Sequence, residues 1–167
     1  SGTADFDPGP AVYNLTAASP LRDLFISKFD ATGAFLWAKR AGFTDDDDVI
    51  GMAVDDSGNV YATGNFAGVV DFDPGPGTFN LTAVSQHDIF VLKLDSQGNF
   101  VWAKAIGGSN HQEGWVIATD PWGNILVTGS FRDTVDFDPG PGIYQLSSLG
   151  LNADIFVLKL NPAGDLI

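Results

Sequence analysis

The stretch of sequence that decides the fold lies at residues 88–104 and reads Asp-Ile-Phe-Val-Leu-Lys-Leu-Asp-Ser-Gln-Gly-Asn-Phe-Val-Trp-Ala-Lys. Residues 89–92 are apolar in succession, whereas a strand with one solvated face alternates apolar and polar residues. Asp95 and Gly98 then mark a tight turn, because Asp hydrogen-bonds its own backbone and Gly accepts a positive φ. The stretch therefore predicts two antiparallel strands of a sheet that is covered on both faces.

This stretch belongs to a sequence repeat with a period of about 65 residues. The hexapeptide Asp-Phe-Asp-Pro-Gly-Pro stands at residues 5–10, 71–76 and 136–141, so that the offsets are 66 and 65. Trp37 returns as Trp102 in the same register, and both tryptophans are expected to pack between neighbouring copies. A fixed spacing of this kind indicates a repeat architecture, in which each copy buries its surface against its neighbours.

One period is predicted to contain four strands, at residues 49–54, 60–66, 89–94 and 100–106. Four antiparallel strands that are covered on both faces by further copies of themselves, arranged around an axis, form a β-propeller. A β-solenoid would need a shorter period of about 20–30 residues. Tandem immunoglobulin-type sandwiches would need a longer one, of about 100 residues.

The expected fold class is thus all-β, with about two and a half four-stranded blades in an incomplete ring. We predict a partial first blade of two outer strands at residues 1–48, a second blade at 49–113 and a third at 114–167, truncated in its outermost strand. Propeller rings usually have about 4–8 blades. The missing blades are expected from a longer chain or from further copies of this one.

The pattern D-x-F-V-x-K-L-D-x-x-G-N, then W-A-K, then A-x-D-x-x-G-N-x-x-x-T-G-x-F, resembles the bacterial SBBP-type β-propeller repeat. More narrowly, it is similar to the subgroup with D-F-D-P-G-P-G inserts, found in large secreted or surface proteins of environmental bacteria. The resemblance covers essentially the whole chain. It implies that the A-x-D strand is innermost and the W-A-K strand outermost. It also implies an extracellular or cell-surface location in a bacterium.

Composition excludes several classes of function. The 167 residues carry a net charge of −13, which repels nucleic acid and anionic membranes. Glu113 is the sole glutamate among 21 acidic residues, and Asp favours turns over helices. No apolar run approaches the roughly 18 residues of a membrane span. The chain has no cysteine, which fits a bacterial exterior and rules out disulfides.

The best candidate ligand site is the repeated Asp-Phe-Asp-Pro-Gly-Pro hexapeptide. Residues i and i+2 of an extended segment point to the same side, so each hexapeptide presents two carboxylates together, and the phenylalanine between them, such as Phe72, is expected to face the blade. With backbone carbonyls and water, such a pair suits calcium, which takes six to eight oxygens. The alternative is that the aspartates cap a proline turn and hold no ion. The candidate calcium ligands are Asp5, Asp7, Asp71, Asp73, Asp136 and Asp138.

Other candidate sites are weaker. Asp45–Asp48 forms an acidic loop, which is either solvated or a weak cation site. His87 and His111 have no equivalents in the other copies and are interpreted as surface residues, because zinc needs three or four clustered ligands. Ser85, His87 and Asp88 stand in a row along one loop, which does not predict a catalytic triad. We therefore predict no enzyme active site.

The leading functional expectation is a non-catalytic extracellular scaffold, stabilised by calcium, that holds a stiff repeat array. Its expected partners are other blades of the same chain or further copies of it, with a possible protein or glycan partner. The alternative is a carbohydrate-binding module that stacks sugars on a turn aromatic such as Trp122. A third alternative is a fragment of a propeller enzyme.

Overall fold

The computed structural model describes residues 2–17, 24–41, 47–150 and 152–167, and the regular structure within these ranges is entirely β. Nothing in the described ranges forms a helix able to cross a bilayer. The strands are β1 Thr3–Asp5, β2 Asn14–Thr16, β3 Leu24–Phe29, β4 Phe35–Ala41, β5 Asp48–Val54, β6 Val60–Phe66, β7 Val69–Asp71, β8 Asn80–Thr82, β9 Asp88–Leu94, β10 Phe100–Gly108, β11 Gln112–Thr119, β12 Ile125–Phe131, β13 Thr134–Asp136, β14 Gln145–Ser147 and β15 Asp154–Leu160.

The central unit is a four-stranded antiparallel sheet in the order β5-β6-β9-β10. Ala62 of β6 pairs with Leu92 of β9, and Leu92 pairs in turn with Ala103 of β10. The strand that contains Ala53 lies at one edge of the sheet, and the strand that contains Trp102 is the last strand of this unit on the other side, where β13 pairs with it. The predicted blade and its order of strands are confirmed.

The neighbouring units are less complete. The third sheet has the order β11-β12-β15, and the first consists of β3 and β4. The blade limits after residues 48 and 113 stay predictions, although β5 begins at Asp48 and β11 at Gln112. The all-β arrangement of antiparallel blades is nevertheless as expected.

The units pack against one another through the faces of their sheets. The strand pairing that joins two units lies at the periphery of the sheets. The short hairpin β13–β14 of the third unit adds to the outer strand of the second, where Gly107 pairs with Asp136 and Gly108 with Val135. A separate parallel bridge joins His87 to His111. The sequence had indicated blades stacked side by side, and these two links were not predicted.

Both faces of the central blade are buried, as the apolar run at residues 89–92 predicted. Phe90 and Leu92 point to the side of the first unit, where Trp37 packs with them. Ile89 and Val91 point to the opposite side and pack with residues of the third unit such as Ile117 and Val127. Full burial of such a side chain stabilises the fold by about 1.5–3 kcal/mol. Stacking of the blades is therefore what holds the molecule together.

The Asp-x-x-Gly-Asn turns join the strands as predicted. Asp55 is typical: its Oδ1 atom accepts hydrogen bonds from the backbone N–H of Ser57 and of Asn59, each at 2.9 Å. Gly58 has φ of 81°, a conformation in which a side chain would be strained. Loss of hydration raises the pKa of Asp55, but hydrogen bonds from Asn59, Tyr61 and Ser57 lower it overall.

Candidate ligand sites

The aspartates of each repeated hexapeptide close a short hairpin, which in the central blade is inserted between β6 and β9. Asp71 Oδ1 accepts hydrogen bonds from the N–H of Asp73 at 3.1 Å and of Phe79 at 2.8 Å. Asp73 Oδ1 accepts one from Gly75 at 2.7 Å. Asp5 and Asp7, and Asp136 and Asp138, repeat these contacts in the other two copies. One oxygen of each carboxylate thus serves as a turn cap.

The aromatic residue between the two aspartates anchors the insert to the blade. Phe72 is fully buried, with its ring centroid 5.3 Å from that of Phe66 and 5.0 Å from that of Phe90. Phe137 makes the equivalent contacts in the third unit. This phenylalanine was expected to face the blade, and the structure confirms it. In these two units the anchor holds the carboxylates in one loop geometry.

The second oxygen of Asp73 lies against Gly77, where an added Cβ would overlap it. The same holds for Asp138 and Gly142, whereas the first repeat has Ala11 at the equivalent position. Within the described ranges, no three His, Cys, Asp or Glu side chains converge as a metal-binding group. A calcium ion there would have to draw most of its ligands from backbone carbonyls and water. Calcium binding stays a prediction.

The acidic loop at Asp45–Asp48 is only partly described, because Asp45 and Asp46 lie outside the described residues. Asp47 Oδ1 accepts a hydrogen bond of 2.8 Å from the N–H of Ala67. This contact ties the loop to the end of β6. The proposal of a weak cation site in this loop stays a prediction.

The two histidines, 24 residues apart in sequence, lie together at the junction of the second and third units. His87 Nδ1 and His111 Nδ1 are 3.1 Å apart, and both side chains are half-buried. The N–H of Gln112 donates to the carbonyl oxygen of His87 at 3.1 Å, which fixes the two segments side by side. The interpretation as surface residues missed this pairing. Its signal was that each histidine directly precedes a strand.

Glu113 and Trp115 extend the histidine pair. Glu113 Oε1 is 3.0 Å from His111 Nε2, and Glu113 Oε2 accepts a 3.0 Å hydrogen bond from Trp115 Nε1. The hydrogen bond from His111 is the main cause that lowers the pKa of Glu113, and the bond from Trp115 adds to it. The carboxylate is thereby held in its ionised form beside the histidine.

Asp88 forms a separate buried network next to this pair. Its Oδ2 accepts a hydrogen bond of 2.8 Å from the N–H of Val84, and its Oδ1 lies 3.0 Å from Ser85 Oγ. Ser85 Oγ also lies within hydrogen-bond distance of the carbonyl oxygen of Asn110, across the junction. Burial raises the pKa of Asp88, and these hydrogen bonds oppose the rise. The serine hydroxyl is therefore engaged in structural contacts.

The tryptophans divide into two groups. Trp37 and Trp102 each reach the next unit, where their Nε1 atoms donate to the carbonyl oxygens of Ser96 and Pro162 at 3.0 and 3.2 Å. Their predicted packing between blades is confirmed. Trp122 is 79% exposed in the turn between β11 and β12, where its side chain offers a free aromatic face.

The outward face of the third unit is apolar and open to solvent. β15 repeats the heptapeptide Asp-Ile-Phe-Val-Leu-Lys-Leu of β9. Ile89 and Val91 of β9 are 0% exposed, whereas Ile155 and Val157 of β15 are 78% and 73% exposed. The same seven residues are thus covered by a neighbouring unit in one place and uncovered in the other.

Face-to-face stacking of four-stranded units that follow a sequence repeat defines a β-propeller repeat protein. Residues 36–65 match the family model of the SBBP β-propeller repeat. The narrower subgroup with the Asp-Phe-Asp-Pro-Gly-Pro-Gly insert and a bacterial origin stay predictions.

Two longer proteins are similar to this chain in sequence. A WD repeat-containing protein of Acanthamoeba polyphaga mimivirus is 30% identical over 170 residues, which cover 93% of this chain and 12% of that protein. The regulatory protein FlaEY of Caulobacter vibrioides is 27% identical over 124 residues, which cover 72% of this chain and 13% of that protein. The chain thus spans about an eighth of the length of these relatives.

Proposed function

We propose that this chain is a non-catalytic scaffold whose blades stack on further repeats and present their loops to a binding partner. The observation that carries the proposal is the open face at Ile155 and Val157, which has the same sequence as the covered face at Ile89 and Val91. In the covered copy, the occupant is the β11–β12 pair of the next repeat. A second copy of this chain supplies a repeat of the same chemistry.

Self-association of the purified chain tests this proposal. We expect light scattering to show a mass that rises with protein concentration, because an exposed apolar sheet face is a protein interaction surface. Ile155→Asn combined with Val157→Asn is expected to abolish the rise. Ile143→Asn is the matched control, since Ile143 is equally exposed but lies in an insert loop. A wild-type chain that stays monomeric at millimolar concentration would contradict the proposal.

The proposed scaffold acts outside the cell and has no catalytic activity of its own. The lack of cysteine and the excess of aspartate support an extracellular site. A repeat match and relatives that bear the names of a WD repeat-containing and a regulatory protein support an interaction role. Secretion of a tagged full-length protein into the medium tests the location. Retention in the cytoplasm would contradict it.

Calcium is the second part of the proposal. A site with a Kd of about 10⁻⁴ M in millimolar calcium would stabilise the fold by about 1.4 kcal/mol. We expect the melting temperature to be higher in calcium than in EDTA, and Asp71→Asn with Asp73→Asn to reduce this difference. Asp56→Asn is the control, because Asp56 is an exposed turn residue outside the inserts. An equal difference in all three proteins would count against the site.

Carbohydrate binding is a second candidate function, favoured by the exposed face of Trp122. Aromatic faces stack on sugar rings, and turns at a blade rim are accessible to large glycans. A glycan array compares the wild type with Trp122→Ala. Binding that is lost in the variant supports this candidate, and absence of binding by the wild type argues against it.

A further inference from the structure

The junction between the second and third units holds two imidazoles at a distance that suits metal chelation. Metal–nitrogen bonds of zinc are about 2.0–2.1 Å long, so two nitrogens on one ion lie about 2.9 Å apart at a right angle and about 3.3 Å apart in a tetrahedron. The separation of His87 Nδ1 and His111 Nδ1 is 3.1 Å, between these limits. The two Nδ1 atoms also lie within hydrogen-bond distance, so an ion would take the place of the proton that one of them donates to the other.

The surroundings of His111 select the tautomer that a metal needs. Its Nε2 lies 3.0 Å from Glu113 Oε1, and a carboxylate oxygen accepts a hydrogen bond from Nε2–H. In the neutral ring, the lone pair is then on Nδ1, which points at His87. Glu113 is fixed in turn by Trp115 Nε1. A carboxylate that orients a histidine in this way is the usual outer shell of a protein metal site.

The position of the pair is specific to this junction. In the preceding repeat, the equivalent residues are Arg22 and Asp46, so the histidines are no part of the repeated pattern. The two rings are held by the backbone, through the bridge between His87 and His111. They are half-buried and so remain accessible to an ion from solvent, and the net charge of −13 attracts cations.

We propose that His87 and His111 bind one divalent transition-metal ion through their Nδ1 atoms, with Glu113 as the positioning residue for His111. Imidazole nitrogens suit copper, nickel and zinc, whereas calcium and magnesium prefer oxygen. The described residues supply two protein ligands, and solvent fills the other positions. The ion joins the second unit to the third and so stabilises their junction.

Metal titration of the intact 167-residue chain tests the proposal. The EDTA-treated protein receives Cu²⁺, Ni²⁺, Zn²⁺ or Ca²⁺, and calorimetry and melting temperature are recorded. We expect one equivalent to bind, with Cu²⁺ tightest among the three transition metals, as the general order of metal affinities requires. We also expect a higher melting temperature and, for Cu²⁺, an electron paramagnetic resonance signal from two nitrogen ligands.

Three variants distinguish the site from adventitious binding. His87→Asn is expected to remove the transition-metal effect, and Glu113→Gln to weaken binding about 10–100-fold because the ligands remain but lose their support. His87→Arg with His111→Asp reproduces the residues of the preceding repeat and serves as the matched control without imidazoles. Circular dichroism and the metal-free melting temperature establish that each variant folds. Equal binding by the wild type and His87→Asn, or no binding at millimolar metal, would overturn the proposal.

Discussion

Individual aspartates stabilise this fold by accepting several hydrogen bonds each. Asp120 Oδ1 accepts bonds from the N–H of Trp122 and of Asn124, and its Oδ2 lies 3.0 Å from Lys159 Nζ. Loss of hydration alone would raise the pKa of Asp120. The bonds from Asn124, Lys159 and Trp122 outweigh it and lower the pKa to about 2. The ionised carboxylate is therefore preferred in the folded state.

A fall in pH should reduce the stability that Asp120 gives to its turn. The folded pKa of Asp120 is about 2, below the ordinary value of 3.8, so its stabilising effect is present above pH 3.8 and is lost as the pH falls toward 2. Asp120→Asn is expected to destabilise the protein at pH 7 and to make a smaller difference at pH 2.5. Urea unfolding of both proteins at the two pH values measures this, with Asp56→Asn as a control for removal of a turn carboxylate. A difference that is equal at both pH values would contradict the assignment.

In the second and third units, the second strand needs a glycine where the first strand forms a bulge. The register of β5 against β6 shifts between Val49 and Gly51, and a Cβ on Gly64 would overlap the backbone carbonyl of Asp48. β11 and β12 repeat this, with Gly129 against Glu113. The Thr-Gly of the repeat therefore marks a close approach of two backbones.

Substitution of Gly64 or Gly129 should destabilise the fold. Gly64→Ala or Gly129→Ala is expected to destabilise the fold by more than about 2 kcal/mol, because a backbone atom has to move. Gly77→Ala is the control, since its Cβ would meet only the carboxylate of Asp73 and the first repeat already has Ala11 there. Chemical denaturation of the three variants measures the difference. Similar losses in all three would show that the bulge is not the cause.

Because β9 and β15 share one heptapeptide, they separate the effect of sequence on stability from the effect of burial by a neighbouring unit. Ile89→Ala is expected to cost about 2–5 kcal/mol, the usual loss for a buried isoleucine. Ile155→Ala, at the same place in the same seven residues, is expected to change the stability by less than about 0.5 kcal/mol in dilute solution, where the face is free. Equal losses would indicate that the outer face is also covered. Thermal and urea unfolding at low protein concentration compare the two variants.

Across the whole molecule, charge opposes the stacking of the blades. The net charge of −13 on 167 residues raises the free energy of the compact state through self-repulsion. An increase of sodium chloride from about 10 to 150 mM shortens the screening length from about 30 to 8 Å. We expect the melting temperature in EDTA to rise by about 2–4 °C if screening contributes about 1 kcal/mol. A fall in melting temperature would show that favourable ion pairs dominate instead.

Much of the fold follows from short-range features of the sequence. The turn at Asp95 and Gly98, the apolar run from Ile89 and the return of the same residues about 65 positions later predict the strands, their order and their stacking. The buried position of Phe72 was also predicted. These predictions succeed because turns and strands depend on local chemistry. A repeat also indicates that the faces of one copy pack against the faces of the next.

The candidate sites were harder to predict. Asp71 and Asp73 were identified as a pair, but their use as caps depends on Phe79 and Gly75, which the hairpin brings near. The meeting of His87 with His111 was missed altogether. Such contacts join residues that are distant in sequence and whose spacing carries no periodic signal. Sequence alone gives each residue's chemistry and leaves its partner undetermined.

By itself, the sequence determined the repeat, the four-stranded unit and the need to cover both of its faces, because periodicity and polarity are properties of the chain alone. Only the tertiary structure decided that β13 adds to β10, that Gly64 lies against Asp48, and that two histidines share one junction. These depend on how whole units are placed against one another. That placement is set by the packing of many side chains at once, which no single segment of the sequence encodes.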